Sequence, residues 1–258
     1  MLATSTKPLR VMTNDGPAIV KYMGNQAGPD ALICELIGTE LANCIGLATP
    51  DFAVAHMPAL NLPNHPLLRV ESGPAFFSKW GDDTTSFSPR STLLGNLRKP
   101  DDIAKLVAFD TWLRNKDRFS APVDHAYGCE NFDNLLLRAD KRKVQLLVID
   151  HSHAIAETTL EDELGQGWVD EQKVYGMFPE FVQYVTQRGI QGALAEINKI
   201  DVERIERICQ EVPRDWGMTH ALAQRLSNCI AERSRKLASW LPALLFDQYE
   251  MDLEGREG

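Results

Sequence analysis

The chain has 258 residues, of which 44% are hydrophobic and 24% charged, and its formal net charge at neutral pH is −9. The length allows one large domain or two small lobes, and the composition excludes a mainly disordered chain and a disulfide miniprotein. An acidic chain is repelled by phosphate backbones and anionic membranes, so the sequence predicts neither a nucleic acid nor a membrane as partner. The five cysteines include no Cys-x-x-Cys pair, which predicts reduced thiols in a cytoplasmic protein.

The N-terminal segment predicts a β-hairpin. Pro8–Thr13 and Ala18–Met23 have strand-like patterns, and the Asn14-Asp15-Gly16 sequence between them is typical of a tight turn. Lys21 lies among apolar residues of the second strand. By itself this lysine is typical of a strand edge where the charged end reaches water.

A helix and two further strands complete this region. The helix begins near Pro29, with Asp30 as candidate N-cap, and Gly46 suits the left-handed position after its end. Thr49–Met57 predicts another strand. Residues 58–100 are rich in proline, and Ala75–Trp80 predicts a strand that connects two lobes, with the boundary near residue 80.

The second part predicts a mainly helical region. Asp101 or Asp102 is a candidate cap for a helix that runs to about Arg114. A β-hairpin is predicted over Asn134–Asp150. Later helices follow, and the last carries Arg225, Arg233, Arg235 and Lys236 in a pattern typical of a solvated face.

One constellation of polar residues has the chemistry of phosphoryl transfer. That reaction needs a carboxylate near the acceptor hydroxyl, an Asn and a second carboxylate for Mg²⁺, and a Lys held by a Glu. Asp117 follows a helix, while Asn134 and Asp150 stand at the two ends of the predicted hairpin, where they can share a metal ion. Lys21 and Glu35 supply the remaining pair.

With these residues in place, the sequence resembles the HipA-like kinases of the smaller, single-domain type. The resemblance runs in family order from about residue 4 to residue 156. The matching stretches are Ser5–Leu9, Gly16–Lys21, Gly24–Gly28, Leu32–Leu36, Leu41–Pro50, Gly73–Ser78, Asn115–Arg118, Asn134–Leu136 and Ile149–His151.

The resemblance implies an α+β, two-lobed protein-kinase-like fold. A β-rich N-lobe with one helix would cover residues 1–80, and a helical C-lobe with the catalytic loop and hairpin would cover 81–258. It also implies ATP and Mg²⁺ as cofactors and transfer to Ser or Thr of a protein that the residues do not identify.

Site roles follow residue by residue from the same resemblance. Asp117 would be the catalytic carboxylate, and Asn134 and Asp150 would hold Mg²⁺. Lys21 would contact the nucleotide phosphates with Glu35 as its partner. The remaining nucleotide contacts would come from a phosphate-contacting turn with Ser5 and Thr6 and a base-holding segment of Phe76, Phe77 and Ser78.

Two departures from the kinase pattern stand out. Asn134 comes 17 positions after Asp117 instead of five, which leaves an insertion over 119–130. A glycine that usually opens the phosphate-contacting turn is missing before Ser5. These departures favour a nucleotide-binding pseudokinase as an alternative.

The class of phosphate acceptor stays open at this point. A small molecule or a lipid is also compatible with the sequence, because aminoglycoside phosphotransferases share the Asp…Asn-Leu-Leu…Ile-Asp order, although their His-Gly-Asp start is absent here.

Single residues also have competing interpretations. Asn131 competes with Asn134 as metal ligand and Glu40 with Glu35 as partner of Lys21. His151 and His153 beside Asp150 are a weaker candidate metal site, and Asp117-Arg118 alone is typical of an exposed ion pair at a helix end.

Overall fold

A computed structural model describes residues 7–62, 69–88, 92–121 and 128–254 as a mixed α/β protein. Its strands are β1 Leu9–Thr13, β2 Gly16–Lys21, β3 Phe52–Met57, β4 Leu60–Asn61, β5 Arg69–Val70, β6 Gly73–Lys79, β7 Thr84–Ser86, β8 Phe119–Ser120, β9 Cys129–Glu130, β10 Leu135–Asp140 and β11 Lys143–Val148. Its α-helices are α1 Gly28–Cys44, α2 Asp101–Leu113, α3 Leu160–Glu163, α4 Gln166–Asp170, α5 Gln187–Asn198, α6 Val202–Glu211 and α7 His220–Glu254.

The first sheet has four antiparallel strands in the order β1-β2-β6-β3. The predicted hairpin is confirmed, and Gly16 has a φ of +105° at its turn, a conformation that glycine adopts without steric cost. The sequence predicts β6 as a connection between lobes. It lies in the interior of this sheet, where β2 and β3 pair with its two edges, and its role as the connection between lobes stays a prediction.

Helix α1 is buried along most of its length because it packs between the sheet and the helical region. Its predicted end is confirmed, since Gly46 has a φ of +73° and its N–H donates to the Asn43 carbonyl at 2.9 Å. Its predicted cap is wrong. The helix has Ala27 at the N-cap without a side-chain bond, and the Asp30 carboxylate accepts the N–H of distant Leu160 at 2.9 Å.

Helix α2 lies at the centre of the main core. Trp112 and Phe109 are fully buried, and the Trp112 indole donates to the Ile230 carbonyl of α7 at 2.9 Å. Neither Asp101 nor Asp102 caps this helix with its side chain, because both lie inside the first turn and Pro100 occupies the N-cap. Burial of aromatic side chains of this size stabilises a core by about 1.5–3 kcal/mol each.

The second sheet has the order β11-β10-β7 and contains the predicted hairpin. Leu135 pairs with Val148 at its base, and the turn uses Lys141 in a left-handed conformation with a φ of 56°. The N–H of Ile149 donates to the Asn134 carbonyl at 3.2 Å. The base of the hairpin therefore brings Asn134 and Asp150 close together, as the sequence predicts.

The strand-rich part precedes the helical part in the chain, in the predicted order, while the lobe boundary near residue 80 stays a prediction. Among the helices of the described residues, none combines the length and apolarity needed to cross a bilayer. The dense cluster of buried side chains connects α1, α2, the hairpin and the later helices. Phe76 of β6 belongs to this cluster, whereas Val20, Tyr22, Met57, Val70 and Ala75 form a second, smaller cluster in and beside the first sheet.

Candidate active site

A cleft lies between the first sheet and the base of the hairpin. It encloses about 210 Å³. Its lining combines apolar side chains with a charged end, and consists of Pro8, Ile19, Lys21, Glu35, Pro50, Phe76, Ser78, Lys79, Trp80, Ser86, Asp133, Asn134, Leu136, Ile149 and Asp150. Most of the candidate site residues therefore border one cavity.

Lys21 is the centre of the charged end. Its Nζ lies 2.7 Å from Glu35 Oε2, 2.7 Å from Asp150 Oδ1 and 2.8 Å from Ser152 Oγ. The lysine side chain is only 7% exposed, so it does not extend into water from a strand edge. Glu40, the competing partner, lies near Arg204 and Glu211 instead.

These contacts change the ionisation of both partners. Burial by itself would lower the pKa of Lys21, but the carboxylates of Asp150 and Glu35 outweigh it and the pKa is raised. Burial would raise the pKa of Asp150, but the Lys21 ammonium outweighs it and lowers that pKa to about 2. At neutral pH the Lys21 ammonium is thus paired with an ionised Asp150 carboxylate.

Asp150 adopts a left-handed backbone conformation with a φ of 58° directly after the hairpin. Aspartate tolerates this conformation better than most residues. A carboxylate that follows a run of apolar residues must leave the core or find a partner. Asp150 does both, because its side chain is 16% exposed and pairs with Lys21.

Asp117 lies in the loop after α2, and Arg114, the C-cap residue of this helix, has a left-handed conformation. Asp117 Oδ2 accepts from Asn134 Nδ2 at 3.0 Å and from Asn131 Nδ2 at 3.4 Å. Both candidate asparagines thus contact this carboxylate. Of the two, Asn134 also lines the cleft beside Asp150 and Asn131 does not.

The insertion after Asp117 is closed at its base. Strands β8 and β9 pair Phe119 with Glu130, and the N–H of Asn131 donates to the Arg118 carbonyl at 2.9 Å. The ends of the insertion therefore meet within one short ladder. The 17-residue spacing is for this reason compatible with the contact between Asp117 and Asn134.

Arg118 is fully buried, so the interpretation as an exposed ion pair is wrong. Its Nε lies 2.8 Å from Asp110 Oδ2, and its Nη1 donates to the carbonyls of Asn134 and Ile149. One guanidinium thus joins α2 to both ends of the hairpin. No sequence pattern indicates this, because both carbonyl groups belong to the backbone of residues that are distant in the chain.

The base-holding segment lines the cleft with two of its three side chains. Phe76 and Ser78 line the cleft, whereas Phe77 faces the opposite side of β6 and packs against the cluster around Val20 and Tyr22. Successive side chains of a strand point to opposite faces, so the side chain of Phe77 lies on the face of β6 opposite those of Phe76 and Ser78. The chain leaves the sheet after Lys79, and Trp80 is a cleft residue that the sequence patterns did not indicate.

The phosphate-contacting turn and the histidine pair have separate outcomes. Ser5 and Thr6 lie outside the described residues. Within the described ranges, no group of three or more His, Cys, Asp or Glu side chains is arranged to hold a metal ion, which leaves the His151–His153 site without support. His151 is fully buried behind Asp150, and burial together with the charges of Arg118 and Lys21 holds its pKa well below the ordinary range.

Known proteins are similar to this chain in sequence pattern and in structure. A family model described as HipA-like kinase matches residues 2–239. No curated protein gives a significant match to the chain.

Two solved structures are similar to this one. The proinflammatory kinase CtkA of Helicobacter pylori has a TM-score of 0.57 at 13% identity, over 94% of this chain and 95% of that chain. HipA of the Shewanella oneidensis MR-1 toxin–antitoxin system, in a structure with HipB and operator DNA, has a TM-score of 0.49 at 11% identity, over 96% of this chain and 67% of that chain. The likeness to CtkA shows a kinase-like fold.

Proposed function

Because the chain belongs to the HipA-like kinase family, we propose that it transfers the γ-phosphoryl group of ATP, with Mg²⁺, to a Ser or Thr hydroxyl of a protein. The observation that carries this proposal is the meeting of Lys21, Glu35, Asn134 and Asp150 at one end of a single cleft, with Asp117 bound to Asn134. The cleft would lie between an N-lobe of residues 1–80 and a C-lobe of 81–258.

The cleft suits a nucleotide in the chemistry of its lining. Ile19, Phe76 and Leu136 provide apolar walls for a flat base, and Lys21 provides a cation for phosphate oxygens. Trp80, where the chain leaves the sheet, would border the base. The side chain of Phe77 has no part in this site.

The donor set also suits Mg²⁺. Magnesium prefers a few oxygen ligands from the protein and completes its shell with water and substrate phosphates. Asn134 and Asp150 supply an amide and a carboxylate from the two ends of one hairpin. When bound there, the ion would screen the negative charge of the phosphates.

Asp117 is the candidate base. Its amide contacts with Asn131 and Asn134 hold the carboxylate beside the metal-binding end of the hairpin. In the proposed step the acceptor oxygen forms a bond to the γ-phosphorus, the bond to the bridging oxygen of ADP breaks, and the hydroxyl proton passes to Asp117. Lys21, held by Glu35, keeps the phosphates in place.

A first experiment tests the nucleotide site. We expect saturating Mg-ATP, at 100 times its Kd, to stabilise the wild-type protein by about 2.7 kcal/mol, seen as a rise in Tm. Asp150→Ala should lose this rise, whereas Asp140→Ala, at the turn end of the same hairpin, should keep it. No rise in the wild-type protein at millimolar Mg-ATP would refute the proposal.

A second experiment tests transfer. Asp117→Asn should keep the rise in Tm and lose transfer of labelled γ-phosphate to a protein acceptor by about 10²–10⁴-fold. Screens with protein, lipid and small-molecule acceptors determine the acceptor class. Nucleotide binding without transfer to any acceptor would identify the chain as a pseudokinase instead.

A further inference from the structure

Helix α1 is attached to the chain segment that follows Asp150 at several successive positions. Asp30 accepts the N–H of Leu160 at 2.9 Å, and the Cys34 thiol contacts the backbone of Ala156. Glu35 accepts from the backbone at the start of the same segment. These positions lie along one face of the helix, so the face that carries Glu35 is fixed over more than one turn.

Glu35 receives three hydrogen bonds on one oxygen atom. Its Oε2 accepts from Lys21 Nζ at 2.7 Å, from the His151 N–H at 2.8 Å and from Ser152 Oγ at 3.0 Å. Ser152 Oγ in turn accepts from Lys21 Nζ at 2.8 Å. The serine hydroxyl is therefore a link that contacts both members of the Lys21–Glu35 pair.

The same interface is tight one turn further along the helix. A Cβ atom added at Gly38 would lie 2.5 Å from the Cβ of His151, closer than side chains can approach without a shift. His151 is fully buried and contacts Phe109 edge to face, with ring centroids 5.6 Å apart. The absence of a side chain at Gly38 thus lets the segment after Asp150 lie against the helix.

From these contacts we propose that Ser152 is a positioning residue, which keeps Lys21 and Glu35 paired and fixes helix α1 before a nucleotide arrives. The inference deepens the proposed function and rests on it. Of the three partners of Lys21, Asp150 is the one assigned to the metal ion. Ser152 and Glu35 then remain as the groups that hold the lysine towards the phosphates.

Ser152 acts through its neighbours and does not belong to the lining of the cleft. Its side chain is buried, with the residue only 1% exposed. Removal of its hydroxyl takes away one hydrogen-bond acceptor from Lys21 and one hydrogen-bond donor from Glu35. A bond to a charged group of this kind corresponds to about a tenfold change in an equilibrium constant.

The test measures the Kd of Mg-ATP for the full chain in a double-mutant cycle of Ser152→Ala and Glu35→Gln. We expect Ser152→Ala to weaken binding about tenfold in the wild-type background and to have little further effect beside Glu35→Gln. Ser227→Ala is the matched control, because Ser227 is 1% exposed and its hydroxyl donates to the Gln224 carbonyl within α7. Equal weakening in both backgrounds, or none in either, would overturn the inference.

A second readout does not need a nucleotide. Hydrogen exchange of the unliganded protein should be faster in the peptides of α1 for Ser152→Ala and unchanged for Ser227→Ala. Gly38→Ala disturbs the same interface while it keeps the hydroxyl, and should also accelerate exchange in α1. Unchanged exchange in both site variants would overturn the inference, whereas accelerated exchange in a protein that binds no Mg-ATP would refute only the proposed function.

Discussion

Two buried cations of this protein are held in different ways. Lys21 in the cleft is held by side chains, namely two carboxylates and a hydroxyl within 2.8 Å. Arg233 of α7 is fully buried and donates to backbone carbonyls, which are those of Thr111, Trp112, Trp168, Val169 and Glu171. These carbonyls lie at the C-terminal ends of α2 and α4, where helices leave acceptors unsatisfied.

The difference appears in the pKa values of the two groups. Burial lowers the pKa of Arg233 to about 10, because carbonyl groups compensate the loss of water less than a full negative charge does. The carboxylates around Lys21 reverse the effect of burial and raise its pKa. The carboxylate and hydroxyl partners of a lysine can give way to a phosphate group, whereas backbone carbonyls at helix ends cannot move without unfolding the helix. We infer that Lys21 serves binding and Arg233 serves the fold.

The largest expected effect concerns Arg233. Arg233→Met removes every donor to the helix-end carbonyls, so we expect the free energy of unfolding to fall by about 3–5 kcal/mol. Chemical denaturation measures this change. Arg235→Met, two residues away and exposed, should change it by less than about 0.5 kcal/mol. Similar losses for both variants would contradict the role assigned to the buried guanidinium.

The next effect concerns Lys21. Lys21→Met removes the cation that we propose to face the phosphates, so the stabilisation of about 2.7 kcal/mol by Mg-ATP at 100 times the wild-type Kd should vanish. Thermal unfolding with and without Mg-ATP measures it. Lys143→Met, an exposed lysine of β11, should keep the full stabilisation. A Lys21→Met protein that is stabilised like the wild type would remove the distinction between the two cations.

Arg118 is a third buried cation, and it combines a carboxylate partner with backbone carbonyl partners. Its pairing with Asp110 can be tested through the pH dependence of stability. Arg118 faces a carboxylate, yet burial outweighs the guanidinium and raises the pKa of Asp110 to about 6. In the unfolded chain that pKa is about 3.9. Between these two values the folded protein binds more protons than the unfolded chain, so the free energy of unfolding falls as the pH rises from about 4 to 6.

The slope reaches about 1.4 kcal/mol per pH unit for this single group. The Asp110→Asn variant lacks this titrating group, so its free energy of unfolding does not show this slope. Any stability that the variant loses through the unpaired arginine is the same at each pH in this range. Urea unfolding of both proteins at about pH 4, 5 and 6 should therefore show wild-type stability falling relative to the variant. Parallel pH profiles would show that Arg118 compensates the burial of Asp110 fully, as the carboxylates do for Lys21.

The smallest expected effect concerns the first attachment of α1. Asp30→Ala removes the acceptor for the Leu160 N–H, and we expect the free energy of unfolding to fall by about 1 kcal/mol. Denaturant titration measures the change, and Asp51→Ala, at an exposed aspartate, serves as comparison. If Asp30→Ala costs nothing, this contact does not help to fix the helix that carries Glu35.

The sequence by itself determined the parts of the site that local patterns control. Strand periodicity places Lys21 in β2, and helix periodicity with Gly46 places Glu35 in α1. The hairpin pattern brings Asn134 and Asp150 together, because the two ends of an antiparallel pair must be neighbours. The family resemblance depends on the same residues.

The tertiary structure decided which charges are buried and what holds them. Arg233 has a sequence pattern typical of a solvated face, and Arg118 one typical of an exposed ion pair, but both are fully buried. Asp30 accepts from a residue 130 positions away instead of capping its own helix.

These outcomes have one physical reason. A buried charge is tolerated where hydrogen-bond partners meet, and those partners are backbone carbonyls or side chains from elements far apart in the chain. No local periodicity encodes such meetings. Ser152 is the clearest case, since a single serine in a turn acquires its significance only where Lys21 and Glu35 meet on either side of its hydroxyl.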